Sequence, residues 1–230
     1  MNRVIPETSR IEIKFVASDI YYYSLLNWLH LHSAGFTSPY TDRWVNNIYF
    51  DTHDLGSYIE NLSGVSSRTK VRYRWYGESI YPSAGALEIK LKRNLFGWKQ
   101  RFLTTDSPYE KGMDWRAFRD RLRELLPTEG KSWLDTRPCQ VLINKYYRKY
   151  LISPDGGIRV TVDSNQEVWN QRNNSCPNFT HRAFIPSTVV VEFKFHRKDR
   201  ELASQCIQGI PIRLSKHSKY MVGFKAILGI

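Results

Sequence analysis

The sequence has few cysteines, few acidic residues and no long apolar run. Its three cysteines, Cys139, Cys176 and Cys206, are widely spaced and form no C-x-x-C pair, so free thiols in a reducing compartment are expected rather than a disulfide framework or a zinc site. The amino terminus lacks the apolar core of a secretory signal, and no stretch approaches the length of a membrane-spanning helix. The sequence therefore predicts a cytoplasmic protein with no transmembrane segment of its own.

The shortage of acidic residues gives the chain a strong positive charge. Lys and Arg number 34 against 22 Asp and Glu, a formal net charge of +12. This balance favours anionic partners: nucleic acid, nucleotide phosphates, other polyanions or a membrane surface. Hydrophobic residues make up 41% of the chain and aromatic residues 14%, which excludes a disordered protein. A length of 230 residues without a linker or a repeat predicts one domain over residues 1–230.

The common nucleotide-binding and metal-binding motifs are also missing. The sequence contains no G-x-x-x-x-G-K-[ST] loop, no G-x-G-x-x-G and no H-E-x-x-H. Its six histidines show no spacing typical of metal ligands. Nucleotide chemistry would therefore need a fold other than the P-loop or Rossmann kinds.

Helical patterns are few, and strand patterns dominate. Apolar residues three and four positions apart predict four helices, and Pro127 ends the third of them. The predicted helices cover residues 18–32, 51–62, 114–126 and 200–208.

Five of the predicted strands share an unusual alternation. Along each strand one face is apolar and the other is almost entirely ionic, because side chains of a strand alternate between its two sides. The ionic faces consist of Arg10, Glu12 and Lys14; Lys70, Arg72 and Arg74; Glu88, Lys90 and Lys92; Arg159, Thr161 and Asp163; and Glu192, Lys194 and His196.

One such strand would indicate only a half-buried sheet with its charges in water. Five ionic and mostly basic faces favour a closed sheet with the charges inside and helices covering the apolar outside. Like charges repel in a confined lumen, so this interior suits a bound polyanion. The predicted fold is mainly β (α+β): a closed antiparallel tunnel of roughly eight strands with a charged lumen and a few outer helices.

Nine short segments occur in one order from residue 10 to residue 224. They are Arg10-x-Glu-x-Lys14, Asn47-Ile-Tyr-Phe-Asp-Thr52, Lys70-Val-Arg-Tyr-Arg-Trp-Tyr-Gly77, Glu88-Ile-Lys90, Lys99-Gln-Arg-Phe102, Tyr146-Tyr-Arg148, Arg159-Val-Thr-Val-Asp163, Glu192-Phe-Lys194 and Lys216-His-Ser-Lys-Tyr220. In this order they resemble the catalytic domain of the vacuolar transporter chaperone (VTC) family, within the triphosphate tunnel metalloenzyme superfamily.

The resemblance implies a fold, an activity and a set of site residues. Members of that family fold as an antiparallel β tunnel and build inorganic polyphosphate from the γ-phosphate of ATP, releasing ADP with Mn²⁺ or Mg²⁺ as cofactor. The resemblance therefore implies an ATP:polyphosphate phosphotransferase, with ATP and polyphosphate as its ligands. The implied catalytic residues are Arg72, Arg74, Arg159 and Lys219. The implied substrate-binding residues are Lys14, Lys90, Lys99, Arg148, Lys194, Lys216 and Ser218, and the implied metal ligand is Glu192.

One departure from the superfamily bears on the reaction. Hydrolytic tunnel enzymes usually begin with Glu-x-Glu-x-Lys, whereas this chain has Arg10 at the first position. Hydrolysis must activate a water molecule, a task for carboxylates and a second metal ion, so a basic tunnel poor in carboxylates favours transfer to a phosphate chain.

Two other functions remain open at this stage. One is a triphosphatase or nucleoside triphosphatase of the same fold. The other is a non-catalytic module that binds a polyanion or RNA; against it, Tyr73 and Trp75 lie on the opposite strand face from Arg72 and Arg74. No specific nucleic-acid partner is therefore expected. Eukaryotic relatives carry attached membrane helices that this sequence lacks, which leaves a separate membrane partner for polymer export as a further expectation.

Overall fold

The computed structural model describes residues 5–229. Within them the chain forms nine strands and six α-helices. The strands are β1 Arg10–Ser18, β2 Arg43–Asp51, β3 Ser67–Tyr76, β4 Ala86–Arg93, β5 Phe96–Leu103, β6 Cys139–Ile152, β7 Ile158–Asn170, β8 Arg182–Ala183 and β9 Thr188–Phe195. The helices are α1 Tyr22–His30, α2 Gly56–Leu62, α3 Trp115–Glu124, α4 Thr128–Asp135, α5 Arg200–Ile207 and α6 Lys219–Leu228.

Eight of the strands close into an antiparallel ring. The hydrogen-bonded order is β6-β2-β3-β4-β5-β1-β9-β7, and β7 also pairs with β6. The short strand β8 lies outside the ring and pairs with β7 alone. The predicted closed tunnel of about eight antiparallel strands is confirmed.

The apolar strand faces point outward and are covered by helices. On β3, Val71, Tyr73 and Trp75 are fully buried against α3, whose Phe118 and Leu122 are also fully buried. Helices α1 and α5 cover the outer faces of β1, β7 and β9 in the same way. The ionic faces of these strands therefore point into the lumen, as predicted.

Helix α6 is placed differently, because it packs on lumen-facing residues. Tyr220 and Phe224 form one apolar cluster with Tyr49, Leu142 and Val168, which share the lumen side of β2, β6 and β7. Ser218 caps the N-terminus of the helix, since its Oγ accepts a hydrogen bond from the backbone N–H of Met221 at 3.3 Å. Helix α6 thus fills part of the lumen and directs its N-terminus at the charged side chains.

The other helix predictions are largely confirmed, with one correction. The helix predicted for residues 51–62 begins only at Gly56, because Asp51 is the last residue of β2. The buried Asp51 carboxylate accepts hydrogen bonds from the backbone N–H groups of Ser57 and Tyr58, at 2.9 and 3.1 Å. It therefore caps α2 from a distance. Helices α4 and α6 were not anticipated. No helix among the described residues is long and apolar enough to cross a membrane.

Candidate active site

The lumen brings together most of the predicted site residues from six different strands and α6. Three carboxylates, Glu88, Asp163 and Glu192, are buried there, and each is surrounded by Lys and Arg side chains. The predicted residues that contact these carboxylates are Lys14, Arg72, Arg74, Lys99, Arg148, Lys194 and Lys219.

Glu88 on β4 is the most crowded of these carboxylates. Its side chain is 1% exposed, and it contacts Arg72 at 2.7 Å, Arg74 at 3.4 Å, Lys99 at 3.2 Å and Arg101 at 3.3 Å. Burial raises the pKa of Glu88, but the guanidinium groups of Arg74 and Arg72 outweigh it and hold the pKa well below its ordinary value. One anion thus gathers four cations from two neighbouring strands.

Polar side chains fix the two arginines in place. The Arg72 guanidinium donates to Tyr49 Oη at 3.1 Å. The Arg74 guanidinium donates to Asn47 Oδ1 at 2.8 Å and to Tyr146 Oη at 3.1 Å. Both arginines therefore stand in a fixed orientation, which suits the bidentate binding of phosphate oxygens.

A second group of charges forms around Asp163 on β7. Arg148 grips its carboxylate with two bonds of 2.6 and 2.7 Å, and Lys219 of α6 contacts the same group. The ring of Tyr146 lies 4.4 Å from Lys219 Nζ and 5.1 Å from the Arg148 guanidinium. Burial raises the pKa of Tyr146, but Arg148 and Arg74 outweigh it and bring the pKa down to about 8. The phenol thus contacts three cations: Arg74, Arg148 and Lys219.

A third group joins β1 and β9. Glu192 contacts Lys14 at 3.1 Å and Lys194 at 2.7 Å, while the neighbouring Glu12 contacts Lys90 at 2.7 Å. Burial opposes ionisation of Glu192, but Lys14 and Lys194 hold its pKa well below the ordinary value. Both carboxylates are therefore ionised at neutral pH.

The surroundings of Glu192 determine whether it can serve as the predicted metal ligand. Among residues 5–229, no three His, Cys, Asp or Glu side chains converge to form a protein-only metal site. Glu192 and Glu12 do lie close enough for the charge of one to raise the pKa of the other. Mg²⁺ and Mn²⁺ prefer oxygen ligands, and Mg²⁺ is commonly held by one or two carboxylates together with substrate phosphates. The two glutamates fit an ion of that kind.

The N-terminus of α6 adds further polar groups to the lumen. Ser218 Oγ accepts a hydrogen bond from Lys70 Nζ at 2.8 Å, and the backbone carbonyl of His217 accepts one from Lys14 at 3.1 Å. Burial and the nearby Lys219 and Lys14 lower the pKa of His217 to about 3. His217 is therefore neutral at physiological pH and adds no charge to the site.

Three predicted residues lie further out. Arg159 is exposed. The pKa of Arg10 is lowered mainly by burial and secondly by the nearby charge of Arg159. Lys216 is exposed, and the Lys99 side chain is 49% exposed although it reaches Glu88. Burial lowers the pKa of Lys99 to about 8 against the opposing effect of Glu88.

Sequence reasoning missed several groups that the lumen contains. Arg101 could have been found, since it alternates with Lys99 on β5. Asn47, Tyr49 and Tyr146 carry no charge, so the ionic alternation gave no signal for them.

Comparison with known proteins places this geometry in a family. The model of the VTC domain matches residues 9–228, and no curated protein matches the sequence. Among solved structures, a putative adenylyl cyclase from Hippeastrum with a dominant triphosphatase activity superposes with a TM-score of 0.50 at 13% identity, over 95% of either chain. A putative adenylate cyclase from Vibrio parahaemolyticus gives 0.48 at 10% identity, over 96% of this chain and 98% of that chain. At 13% identity, the first of these likenesses concerns the fold alone. Since the family model covers nearly the whole sequence, the chain belongs to the VTC domain family.

Proposed function

We propose that the protein is a polyphosphate polymerase, which transfers the γ-phosphate of ATP to a growing polyphosphate chain in the basic lumen and releases ADP. The observation that carries the proposal is the pairing of the lumen carboxylates. Glu12, Glu88, Asp163 and Glu192 each lie within ion-pair distance of at least one Lys or Arg. Membership of the VTC domain family supports an enzyme that acts on such phosphates.

The paired carboxylates favour transfer over hydrolysis. Hydrolysis calls for a base that activates water, and all four of these lumen carboxylates are engaged by cations. Transfer needs no base, because the terminal phosphate oxygen of the chain is already ionised at neutral pH. That oxygen attacks the γ-phosphorus, the bond from phosphorus to the β–γ bridging oxygen breaks, and ADP leaves with that oxygen. The enzyme must hold two polyanions together and stabilise the charge on the moving group.

The lumen residues divide these tasks by position. Arg72 and Arg74 bind the transferring phosphoryl group, since their guanidinium forks are already oriented by Glu88 and the neighbouring polar groups. Lys219, at the first turn of α6, neutralises phosphate oxygens on the other side of the lumen. Arg159, which the resemblance implies as catalytic, and Lys216 are both exposed, and we assign them the role of guiding incoming phosphates. The remaining predicted binding residues contact the rest of the two substrates.

A divalent ion would be held by Glu192 and Glu12. Such an ion would supply positive charge to offset the negative charge of the substrate phosphates. Lys14 and Lys194 neutralise Glu192 in the structure, and with an ion bound to Glu192 they would be available to phosphate oxygens.

The direct test is incubation with ATP and Mn²⁺ or Mg²⁺, with ADP, orthophosphate and polymer measured in parallel. We expect ADP and a polymer that exopolyphosphatase digests, with little orthophosphate. Arg72→Ala should lose this activity, whereas Arg116→Ala, on the exposed face of α3, should keep it. Orthophosphate equal to ADP, with no polymer, would show a triphosphatase instead, and binding without turnover would show a non-catalytic module.

The role of Glu192 has its own test. Glu192→Gln keeps the shape of the side chain but removes the charge that would offset the metal, so turnover should fall by orders of magnitude and recover partly at higher metal concentration. If Glu192 serves only its ion pairs with Lys14 and Lys194, the variant should lose thermal stability and show an unchanged metal dependence. Metal titrations of turnover beside melting curves separate the two roles.

A further inference from the structure

The lumen faces of β3 and β4 oppose like charges at successive positions. Arg72 lies opposite Glu88, which is a complementary pair, but the next two lumen positions place Lys70 opposite Lys90 and Arg68 opposite Lys92. Side chains directly opposite in an antiparallel pair have their Cβ atoms about 4.5–5.5 Å apart, and like charges there are destabilising. The basic row therefore runs from the Glu88 group toward the β4–β5 turn.

Three members of this row form no ion pair among the described residues. Lys90 is neutralised by Glu12, but no carboxylate lies within ion-pair distance of Arg68, Lys70 or Lys92 there. Lys70 donates only to the Ser218 hydroxyl, and Arg68 Nε is buried without a hydrogen-bond partner. We call Arg68, Lys70 and Lys92 the β3–β4 basic cluster.

The cluster is electrostatically unfavourable as it stands. Burial and the charges of Lys90 and Lys14 hold the pKa of Lys70 well below its ordinary value. Burial and Arg68 lower the pKa of Lys92 against the opposing charge of Glu12. Elsewhere in the lumen the sequence supplies carboxylates that offset such repulsion, as Glu88 does for Arg72. Here Glu12 is already paired with Lys90, and no carboxylate among the described residues forms an ion pair with the cluster, so an external anion is the missing partner.

We propose that the β3–β4 basic cluster binds a stretch of linear polyphosphate beyond the phosphates that take part in transfer. This inference rests on the proposed function and adds a subsite to it. The row of successive cations along two strands matches a polyanion with one charge per phosphate, whereas the Glu88 and Asp163 groups suffice for a single triphosphate. Long chains should therefore use the cluster, and tripolyphosphate should not need it.

The test compares the binding of long-chain polyphosphate with that of tripolyphosphate. The double variant Arg68→Gln with Lys92→Gln should bind long-chain polyphosphate about tenfold more weakly. The slope of log affinity against log salt should become smaller by about 1 for each phosphate that the variant no longer neutralises. Tripolyphosphate affinity should stay near the wild-type value, and the melting temperature should hold or rise because repulsion is relieved.

The matched control removes two exposed charges away from the lumen, by Lys111→Gln with Arg116→Gln. It should leave affinity for both ligands near the wild-type value. Equal losses in both double variants, equal losses for both ligands, or no loss at all would overturn the subsite. Each of these results is independent of the product assay. A wild-type protein that releases orthophosphate with ADP and makes no polymer refutes the polymerase. Polymer synthesis with unchanged polyphosphate binding in the double variant refutes the subsite alone.

Discussion

At the scale of single residues, the lumen cations are held in place by a small number of anions and phenols. Glu88 orients Arg72 and Arg74, and Tyr146 contacts Arg74, Arg148 and Lys219. A side chain that is already oriented loses less conformational entropy when it binds a phosphate. The uncharged and acidic residues of the lumen therefore matter to phosphate binding as much as the basic residues do.

Tyr146 offers a direct optical readout of the site. Its pKa of about 8 lies below that of Tyr73, which burial raises to about 12. We expect a tyrosinate absorbance transition near pH 8 in the wild-type protein and none there in Tyr146→Phe. Added tripolyphosphate should move the transition to higher pH, because a bound anion opposes the phenolate. The control Tyr147→Phe, on the other face of β6, should keep the transition; its persistence in Tyr146→Phe would refute the assignment.

Glu88 should control stability in a pH-dependent way. Glu88→Gln leaves four cations without their shared anion, so the free energy of unfolding at pH 7 should fall by about 3–5 kcal/mol. Because the folded-state pKa is depressed, this stabilisation is complete above the unfolded pKa of about 4.3 and is lost as the pH falls below it. Urea unfolding at several pH values should show the gap between wild type and variant closing in acid. Glu124→Gln, at an exposed position of α3, should show no such gap.

At the scale of secondary-structure elements, Asp51 connects α2 and α6 to the barrel. Its carboxylate accepts hydrogen bonds from two backbone N–H groups of α2 and from Tyr220 Oη of α6, the last at 2.6 Å. Tyr220 also stacks on Tyr49, which in turn holds Arg72. The position of Ser218 and Lys219, just before Tyr220 in the chain, therefore depends on this buried carboxylate.

Asp51→Asn should affect both stability and turnover. Loss of the charged acceptor should lower the free energy of unfolding by about 1–3 kcal/mol, and turnover should fall because the N-terminus of α6 loses its fixed position. Tyr220→Phe removes only the hydrogen bond from α6 to Asp51 and should give a smaller loss of both. Urea unfolding and ADP release measure the two effects. Full turnover in folded Asp51→Asn protein would show that α6 is positioned without it.

At the scale of the whole molecule, the excess of positive charge should make the stability of the folded state sensitive to anions. A ligand that binds only the folded chain stabilises it by about 2.7 kcal/mol at a hundredfold excess over Kd. We expect long-chain polyphosphate to raise the melting temperature strongly at low salt and less at high salt. Sodium chloride at matched ionic strength is the control, and an equal rise with that salt would contradict specific binding in the lumen.

The strand faces could be predicted from the sequence, whereas one helix boundary could not. The alternation from Lys70 to Trp75 correctly predicted which side chains of β3 face the lumen and which face the outer helices. Successive side chains of a strand point to opposite faces, so position along the strand decides the face. The helix predicted from Asp51 began five residues later, because the carboxylate caps α2 from the end of β2. The predicted roles of the basic residues remain predictions.

The sequence alone predicted the closed sheet and which strand faces lie inside and outside it. Period-two alternation and net charge can be read from the chain without knowing how the strands are arranged. Which charges meet depends on the folded arrangement alone. Glu88 and Arg101 are partners through register between neighbouring strands, and Lys219 reaches Asp163 because α6 turns back into the lumen. Among the described residues, the lack of an ion pair at Arg68, Lys70 and Lys92 becomes visible only once the carboxylates have positions. Electrostatic energy depends on distance and burial, and only the folded chain fixes either of them.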